Sequence, residues 1–349
     1  MNPSPYALLC RHPNLFSQQL LVVGMGDNQP AEWLHAMKTH QCSFMTWDWM
    51  THQAATQQLG EHCHFGVPEY NRLPQQSAQQ DRVLLWPKSR QLGLILTQIL
   101  RHSARSLWII GANDNGGKSI GNACKKIGLS ATKTDSARHC SMWQVDTTQA
   151  DDDHSVEWQA HAKHFQAGQL ELTTLPGVFS HGTLDKGTQL LLHTMEQHKL
   201  KSQTRRILDL GCGTGVIGLI LKHRFETAHV TLADTDALSL ECCRINIQHN
   251  HLDDTDIDIV ASDKLSGING RYSLIVTNPP FHTGSQTDYR FAESLFTNAK
   301  KHLDGRGELW LVANRHLAYE EWARAGFGHI EILAQASGFK ILRLHSPKR

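Results

Sequence analysis

The sequence predicts two tandem α/β domains, each built on a doubly wound, mostly parallel sheet. Three observations lead there. A chain of 349 residues suits two domains of ordinary size. From residue 205 onward, short apolar runs alternate with amphipathic ones, the pattern of strands joined by helical crossovers. The first half repeats the same order of runs in worn form.

In the second half, strands are expected at 206–210, 229–233, 257–261, 272–277, 307–313, 328–334 and 339–345, and helices at 215–224, 236–250, 286–302 and 315–325. The last two strands are separated only by Ala336-Ser337-Gly338, too short for a crossover, so they form an antiparallel hairpin. In the first half, Leu20 to Gly26 sits where Ile207 to Gly213 sits in the second, with Val22 in place of Asp209. Arg82 to Lys88 echoes the fourth strand of the second half, and Leu107 to Asn113 echoes Leu309 to Asn314. A duplicated domain that kept its sheet and lost its polar site residues explains these echoes. The expected boundaries are a degenerate domain over 1–150, a linker over 151–170 containing Asp151-Asp152-Asp153 and small polar residues, and a catalytic domain over 171–349, with a strand hairpin near 169–174.

Charge and cysteines narrow the class. Lys and Arg number 34 against 33 Asp and Glu, so overall charge points to no polyanionic partner. Residues 81–140 are different: Arg82, Lys88, Arg90, Arg101, Arg105, Lys118, Lys125, Lys126, Lys133 and Arg138 face only three acids, Asp81, Asp114 and Asp135. That excess can track a phosphate backbone, and Lys88, Arg90, Lys118 and Arg138 are the candidate RNA contacts. Eight scattered cysteines show no C-x-x-C and no disulfide framework, which fits reduced thiols in the cytoplasm. No basic start followed by an apolar run and no stretch of 18 apolar residues is present, so neither export nor a membrane is expected. The histidines include His62-Cys63-His64, but adjacent residues of a strand point to opposite faces, and no metal site is expected.

The cofactor site is read from strand ends. Gly211, Gly213 and Gly215 let the backbone approach a ligand at the start of a helix. Their G-x-G-x-G spacing differs from the dinucleotide fingerprint, and Asp209 is an anion where a pyrophosphate binder avoids one. An anion there suits the ammonium of a methionine. Asp234, at the end of the next strand, can accept from two ribose hydroxyls, and Asp263, after the third, from an adenine amino group. The set describes S-adenosylmethionine. Ala112 to Ser119 approximates a Walker A loop but lacks its first glycine and a Mg²⁺-holding partner, which leaves Lys118 available for RNA.

Asn278-Pro-Pro-Phe281 follows the fourth strand of the second half. An exocyclic amine on a ring is a poor nucleophile because its lone pair is delocalised. The side-chain oxygen of Asn278 and the carbonyl of Pro279 can each accept one amino hydrogen and localise that pair. Pro279 and Pro280 stiffen the loop, and Phe281 offers its face to the base. Positioning then supplies most of the rate. His282 can relay a proton, contact RNA or stand by. Upstream, Leu175 to Ser180 and Leu184 to Thr188 look like a lid and a helix N-terminus over the cofactor, which adds Phe179 and Asp185 to the cofactor set, with core packing the other reading of Phe179.

Together these segments resemble the bacterial ribosomal RNA guanine-N2 methyltransferases, most closely those of the small subunit. The likeness runs through Trp86-Pro87-Lys88, Asp135 to Arg138, Thr174 to Ser180, Asp209 to Gly215, Ser262-Asp263 and Asn278 to Thr287, nearly the whole chain. It implies the methyltransferase variant of the Rossmann-like fold in both domains, a seven-stranded mixed sheet with an antiparallel terminal hairpin. It also implies methylation of the N2 of one guanosine in 16S rRNA, the assembled small subunit as partner, a non-catalytic N-terminal domain that binds RNA, and a cytoplasmic, monomeric enzyme. The motif alone leaves open a large-subunit guanine, adenine N6 or a protein glutamine.

Overall fold

The computed structural model describes residues 4–26, 29–69, 73–74, 80–148, 158–198, 200, 204–279 and 286–347, with the backbone alone at 286–291 and 347. Contacts divide the chain into two compact units, Met1–His161 and Ala162–Arg349.

In the first unit, helix α1 (Pro5–Leu9) precedes β1 (Leu20–Val23), α2 (Ala31–Thr39), β2 (Ser43–Thr46), α3 (Trp49–Leu59), β3 (Cys63–Phe65), β4 (Gln80–Leu85), α4 (Arg90–Arg101), β5 (Ala104–Ala112), α5 (Ile120–Lys125), β6 (Ala131–Ala137) and β7 (Cys140–Val145). The sheet order is β3-β2-β1-β4-β5-β7-β6. The first five are parallel and the last two antiparallel. Side chains that cap helices fix where several of them start: Ser4, Asp48 and Ser89 each accept a backbone N–H from the first turn of α1, α3 and α4.

The second unit begins with a hairpin, β8 (Lys163–Ala167) and β9 (Leu170–Thr174), followed by α6 (Lys186–Gln197), β10 (Arg206–Leu210), α7 (Val216–Arg224), β11 (His229–Asp234), α8 (Ala237–His249), β12 (Ile257–Ala261), β13 (Tyr272–Thr277), α9 (Gln286–His302), β14 (Leu303–Asn314), α10 (Tyr319–Ala323), β15 (Phe327–Ala336) and β16 (Phe339–Pro347). Its order, β12-β11-β10-β13-β14-β16-β15, reproduces the first sheet position for position. The final hairpin, expected from the three-residue turn, inserts β16 between β14 and the edge strand β15. One face of the sheet packs on Ala292, Leu295, Phe296 and Ala299 of α9 together with Tyr319 and Ala323 of α10.

Three expectations change. The linker placed at 151–170 is partly ordered secondary structure: Trp158–His161 is a 3-10 turn, and β8 starts at Lys163 and belongs with the second unit. Alternate burial is weak along β8 because its partner β9 faces the core while β8 faces outward, so composition suggested a linker. The strand expected from 307 begins at Leu303, because the Gly305-Arg306-Gly307 sequence that reads as a turn is absorbed as a bulge between Tyr272 and Leu274 of β13. The helix expected over 315–325 shrinks to Tyr319–Ala323, since the Arg315 amide is taken by the Gly338 carbonyl in the β15–β16 turn.

The hairpin is fastened by one side chain. Asn246 of α8 is fully buried, accepts from the Thr173 amide at 2.7 Å, and donates to the carbonyls of Thr173 and Thr214 at 3.0 Å each. It therefore ties β9 to the loop after β10. Replacing Asn246 by Ala strands three buried backbone groups and is expected to cost about 3 kcal/mol or more. A denaturant midpoint for the second unit unchanged from wild type would contradict this.

Candidate active site

The parallel strands β10, β11, β12 and β13 all end at one edge of the second sheet, and every expected catalytic or cofactor residue among the described ones lies in the second unit, the strand-end residues along this edge. After β10 the chain enters a tight turn in which Gly211, Gly213 and Gly215 have φ of 70°, 54° and 80°. Such left-handed backbone favours glycine. A side chain at Gly211 or Gly213 would meet nothing within 4 Å, so the turn borders open space. Its other side is firmly held: the amides of Gly211 and Cys212 both donate to the Ala233 carbonyl, at 2.8 and 3.0 Å.

Asp234, at the end of β11, secures the middle of that turn by accepting the Gly213 amide at 2.8 Å, and its other oxygen accepts the Asp236 amide at 3.0 Å. A carboxylate accepts several bonds at once, which suits Asp234 to a ligand's hydroxyls. Asp209 is fully buried one layer below. Its Oδ2 accepts the Gly218 amide at 2.8 Å, and its Oδ1 has no partner among the described residues. Burial pushes its carboxyl up to about 7, partly offset by the Gly218 bond and reinforced by the charge of Asp234. Asp263 follows β12, half-buried, in a turn closed by the Ser266 amide on its carbonyl. Three acids along a glycine turn suit a ligand that is cationic and rich in hydroxyl and amino donors, and repel a pyrophosphate.

Asn278 comes to this edge because Thr277 donates from its hydroxyl to the Leu210 carbonyl at 2.7 Å, joining the ends of β13 and β10. The Asn278 side-chain amide is oriented by two acceptors. Its Nδ2 donates to Asp185 Oδ2 at 3.1 Å and to Thr188 Oγ1 at 2.8 Å. Its Oδ1 is left buried with no partner among the described residues. Asp185 is also the N-cap of α6, accepting the Gly187 amide at 2.9 Å. Close approach is possible because residue 187 is glycine: a Cβ there would lie 3.1 Å from Asp185 Oδ1 and 3.5 Å from Asn278 Oδ1. Pro279 is buried beside Asn278. Pro280, Phe281 and His282 lie outside the described residues.

Phe179 is 70% exposed, which overturns the core reading of that side chain. Sequence reasoning missed Thr188 and Thr277. The Asp185-x-x-Thr188 spacing at a helix start was a visible capping signal, but a partner 90 residues away in sequence has none.

In the first unit the corresponding strand end is filled. A Cβ on Gly24 would touch Leu85 at 2.5 Å, and one on Gly26 the Tyr6 ring at 3.0 Å. Tyr6 in turn packs on Trp33, with ring centroids 4.6 Å apart. The loop resembling a Walker A sequence is pinned to the sheet by the Trp143 indole, which donates to the Gly117 carbonyl at 2.8 Å. The basic excess splits in two. Lys88, Arg90, Lys118 and Arg138 are exposed and follow β4, open α4, follow β5 and sit in the β6–β7 turn, all at the carboxyl edge of the sheet. Arg82 is instead only 6% exposed and donates to the Leu100 and His102 carbonyls, and Arg105 pairs with Asp81, so neither contributes to that face. Among the described residues there is no group of three His, Cys, Asp or Glu side chains able to hold a metal, and no helix long and apolar enough to cross a membrane.

Comparison with known proteins agrees with this architecture. The family profile "Methyltransferase small domain N-terminal" matches residues 7–164, and "Methyltransferase small domain" matches residues 169–343. The chain is 36% identical over 355 aligned positions to the ribosomal RNA small subunit methyltransferase C of Pseudomonas entomophila, covering 98% of this chain and 99% of that one. It is 35% identical to the protein of the same name from Pseudomonas aeruginosa, with 98% of each covered. Among solved structures, the T. thermophilus 16S rRNA N2 methyltransferase in complex with AdoMet and guanosine superposes with a TM-score of 0.72 at 21% identity, over 94% of this chain and 88% of the other, which shows a common fold. With both profiles matched and near-complete coverage at more than a third identity, the chain belongs to the ribosomal RNA small subunit methyltransferase C family.

Proposed function

We propose that this chain transfers a methyl group from S-adenosylmethionine to the exocyclic N2 of a guanosine in 16S rRNA, with the small ribosomal subunit as its substrate. The observation that carries the reading is the buried Oδ1 of Asn278, which has no partner among the described residues and is held at the same sheet edge as the open glycine turn. An acceptor in that place takes an amino hydrogen and localises the nitrogen lone pair. The Pro279 carbonyl takes the second hydrogen, while Pro280 and Phe281 stiffen the loop and stack the base. The relatives named for the small-subunit rRNA activity support the choice of RNA over a protein glutamine.

The residues described fit the cofactor. Open space above Gly211 and Gly213 accommodates it, Asp234 faces its ribose hydroxyls, Asp263 its adenine amine, and Asp209 supplies negative charge beneath its ammonium. When bound, S-adenosylmethionine supplies an electrophilic methyl on a sulfonium. Asp185 borders the site at the start of α6, and Phe179, exposed in the segment before it, is read as closing over the ligand. Lys88, Arg90, Lys118 and Arg138 form an RNA-binding edge on the first unit, and His282 adds a contact beside the target base. The chain acts as a cytoplasmic monomer with no metal.

Tritiated methyl transfer to small subunits, large subunits and release factor tests the substrate, followed by mass spectrometry of digested rRNA for N2-methylguanosine. Label confined to large subunits, or to release factor, would replace the reading. Asn278→Ala is expected to lower kcat by roughly 100-fold or more while S-adenosylmethionine binding is retained; equal labelling by this variant would sink the role of Asn278. A second expectation concerns pH. Burial raises the Asp209 carboxyl to about 7, and a cationic ligand favours its ionised form, so S-adenosylmethionine affinity rises as pH increases from 6 through 7 and falls again above about 8, where the ligand's own α-amino group loses its proton. Calorimetric titrations with Asp209→Asn should lose that rise. For the first unit, Lys88→Glu with Arg90→Glu is expected to weaken RNA binding and flatten its salt dependence without changing cofactor affinity. An unaltered salt titration would remove these two residues from the interface.

A further inference from the structure

We propose that Asp185 and Thr188 are positioning residues that lock the Asn278 amide in a single orientation, so that the site offers the incoming nucleotide an acceptor and never a donor. This rests on the role given to Asn278 above. Elsewhere in the second unit the buried Cys212 and Cys243 sulfurs, 3.6 Å apart, are walled from solvent, and the stacked His329 and His345 rings sit in an ordinary cross-strand pair beside Glu331.

An asparagine amide carries two donors on one end and an acceptor on the other, and the two ends are nearly the same shape. Only hydrogen-bond partners decide which end faces the reacting amine. Here both hydrogens of Nδ2 are claimed, one by the Asp185 carboxylate at 3.1 Å and one by the Thr188 hydroxyl at 2.8 Å. Turning the amide over would set Oδ1 against a carboxylate oxygen, with lone pairs opposed and no hydrogen between them. Neither partner is free to yield. The Asp185 carboxylate is fixed by the amides of Gly187 and Thr188 as the cap of α6, and the Thr188 side chain is buried within the first turn of the same helix. One helix start therefore holds both acceptors, while the strand tie through Thr277 holds the amide they grip.

The consequence is selectivity for a group that donates. An exocyclic amine has two hydrogens to give; a ring carbonyl at the same position has none, and a buried acceptor facing it would be left unpaired. Asp185 thus acts on the target through Asn278, in addition to bordering the cofactor.

Thr188→Val keeps the shape and removes the acceptor, and Thr188→Ser restores it. With small subunits as substrate, Thr188→Val is expected to lower kcat by about 10-fold or more with the KM for S-adenosylmethionine within about twofold of wild type, and Thr188→Ser to stay within about threefold. Asp185→Asn keeps a good helix cap but can present an amide donor to Asn278, and is expected to be impaired at least as much as Thr188→Val. The second readout needs no cofactor or RNA. In protein labelled with ¹⁵N-asparagine, the Asn278 side-chain NH₂ pair, assigned by its loss in Asn278→Ala, is expected to exchange slowly with solvent in wild type and in Thr188→Ser, and fast in Thr188→Val. A Thr188→Val protein with wild-type kcat, or Thr188→Ser and Thr188→Val equally impaired, or an Asn278 NH₂ pair indifferent to both changes, would overturn the proposal while leaving methyl transfer by the wild type intact. A folded wild type that labels no acceptor would instead overturn the function on which it rests.

Discussion

The left-handed turn at Gly211 to Gly215 is the constraint from which the catalytic edge follows. Its inner side is fixed by the Ala233 carbonyl and the Asp234 carboxylate, both at the end of β11, together with its own bond from the Gly215 amide to the Cys212 carbonyl. Once it is fixed, the turn delivers α7 with the Gly218 amide aimed at Asp209, and its outer side stays open. A buried carboxylate costs several kcal/mol when it lacks partners, and Asp209 has one oxygen without a partner among the described residues and its pKa raised. That is a locally unfavourable arrangement, of the kind that persists where a ligand completes it.

The two units carry one topology and use its carboxyl edge in opposite ways. In the second, glycines face open space and acids line the strand ends. In the first, Leu85 and Tyr6 occupy the corresponding volume, Val22 replaces the acid, and lysines and arginines gather at the rim. Apolar side chains packed at that strand end stabilise the fold without a ligand. The same edge then becomes a surface whose charge is positive and whose shape is set by the loops.

The sheet was legible in the sequence because parallel strands buried on both faces read as uninterrupted apolar runs, and because the glycines and acids punctuate their ends. Strands 206–210, 257–261 and 272–277 fall where expected to the residue. What could not be read were relations between distant segments. Arg82 looks like any other surface arginine until the end of α4 is seen to close over it. Asp185 reads as a cap, which it is, but its second oxygen serves an asparagine 93 residues away. β8 carries a polar, weakly periodic sequence because only one of its faces packs, and composition alone assigns such a stretch to a linker.

That hairpin has a bearing on how the two halves diverged. Among the described residues the first unit has no counterpart of β8 and β9 ahead of its sheet, whereas in the second they are clasped by Asn246, whose other hydrogen bond reaches Thr214 within the glycine turn. The segment leading from β9 runs on to Asp185 at the start of α6, where it meets Asn278. Loss of polar residues therefore accounts for only part of the difference between the copies. Among the described residues the second unit also carries this hairpin, and point substitutions that restored acids and glycines to the first unit would not supply it.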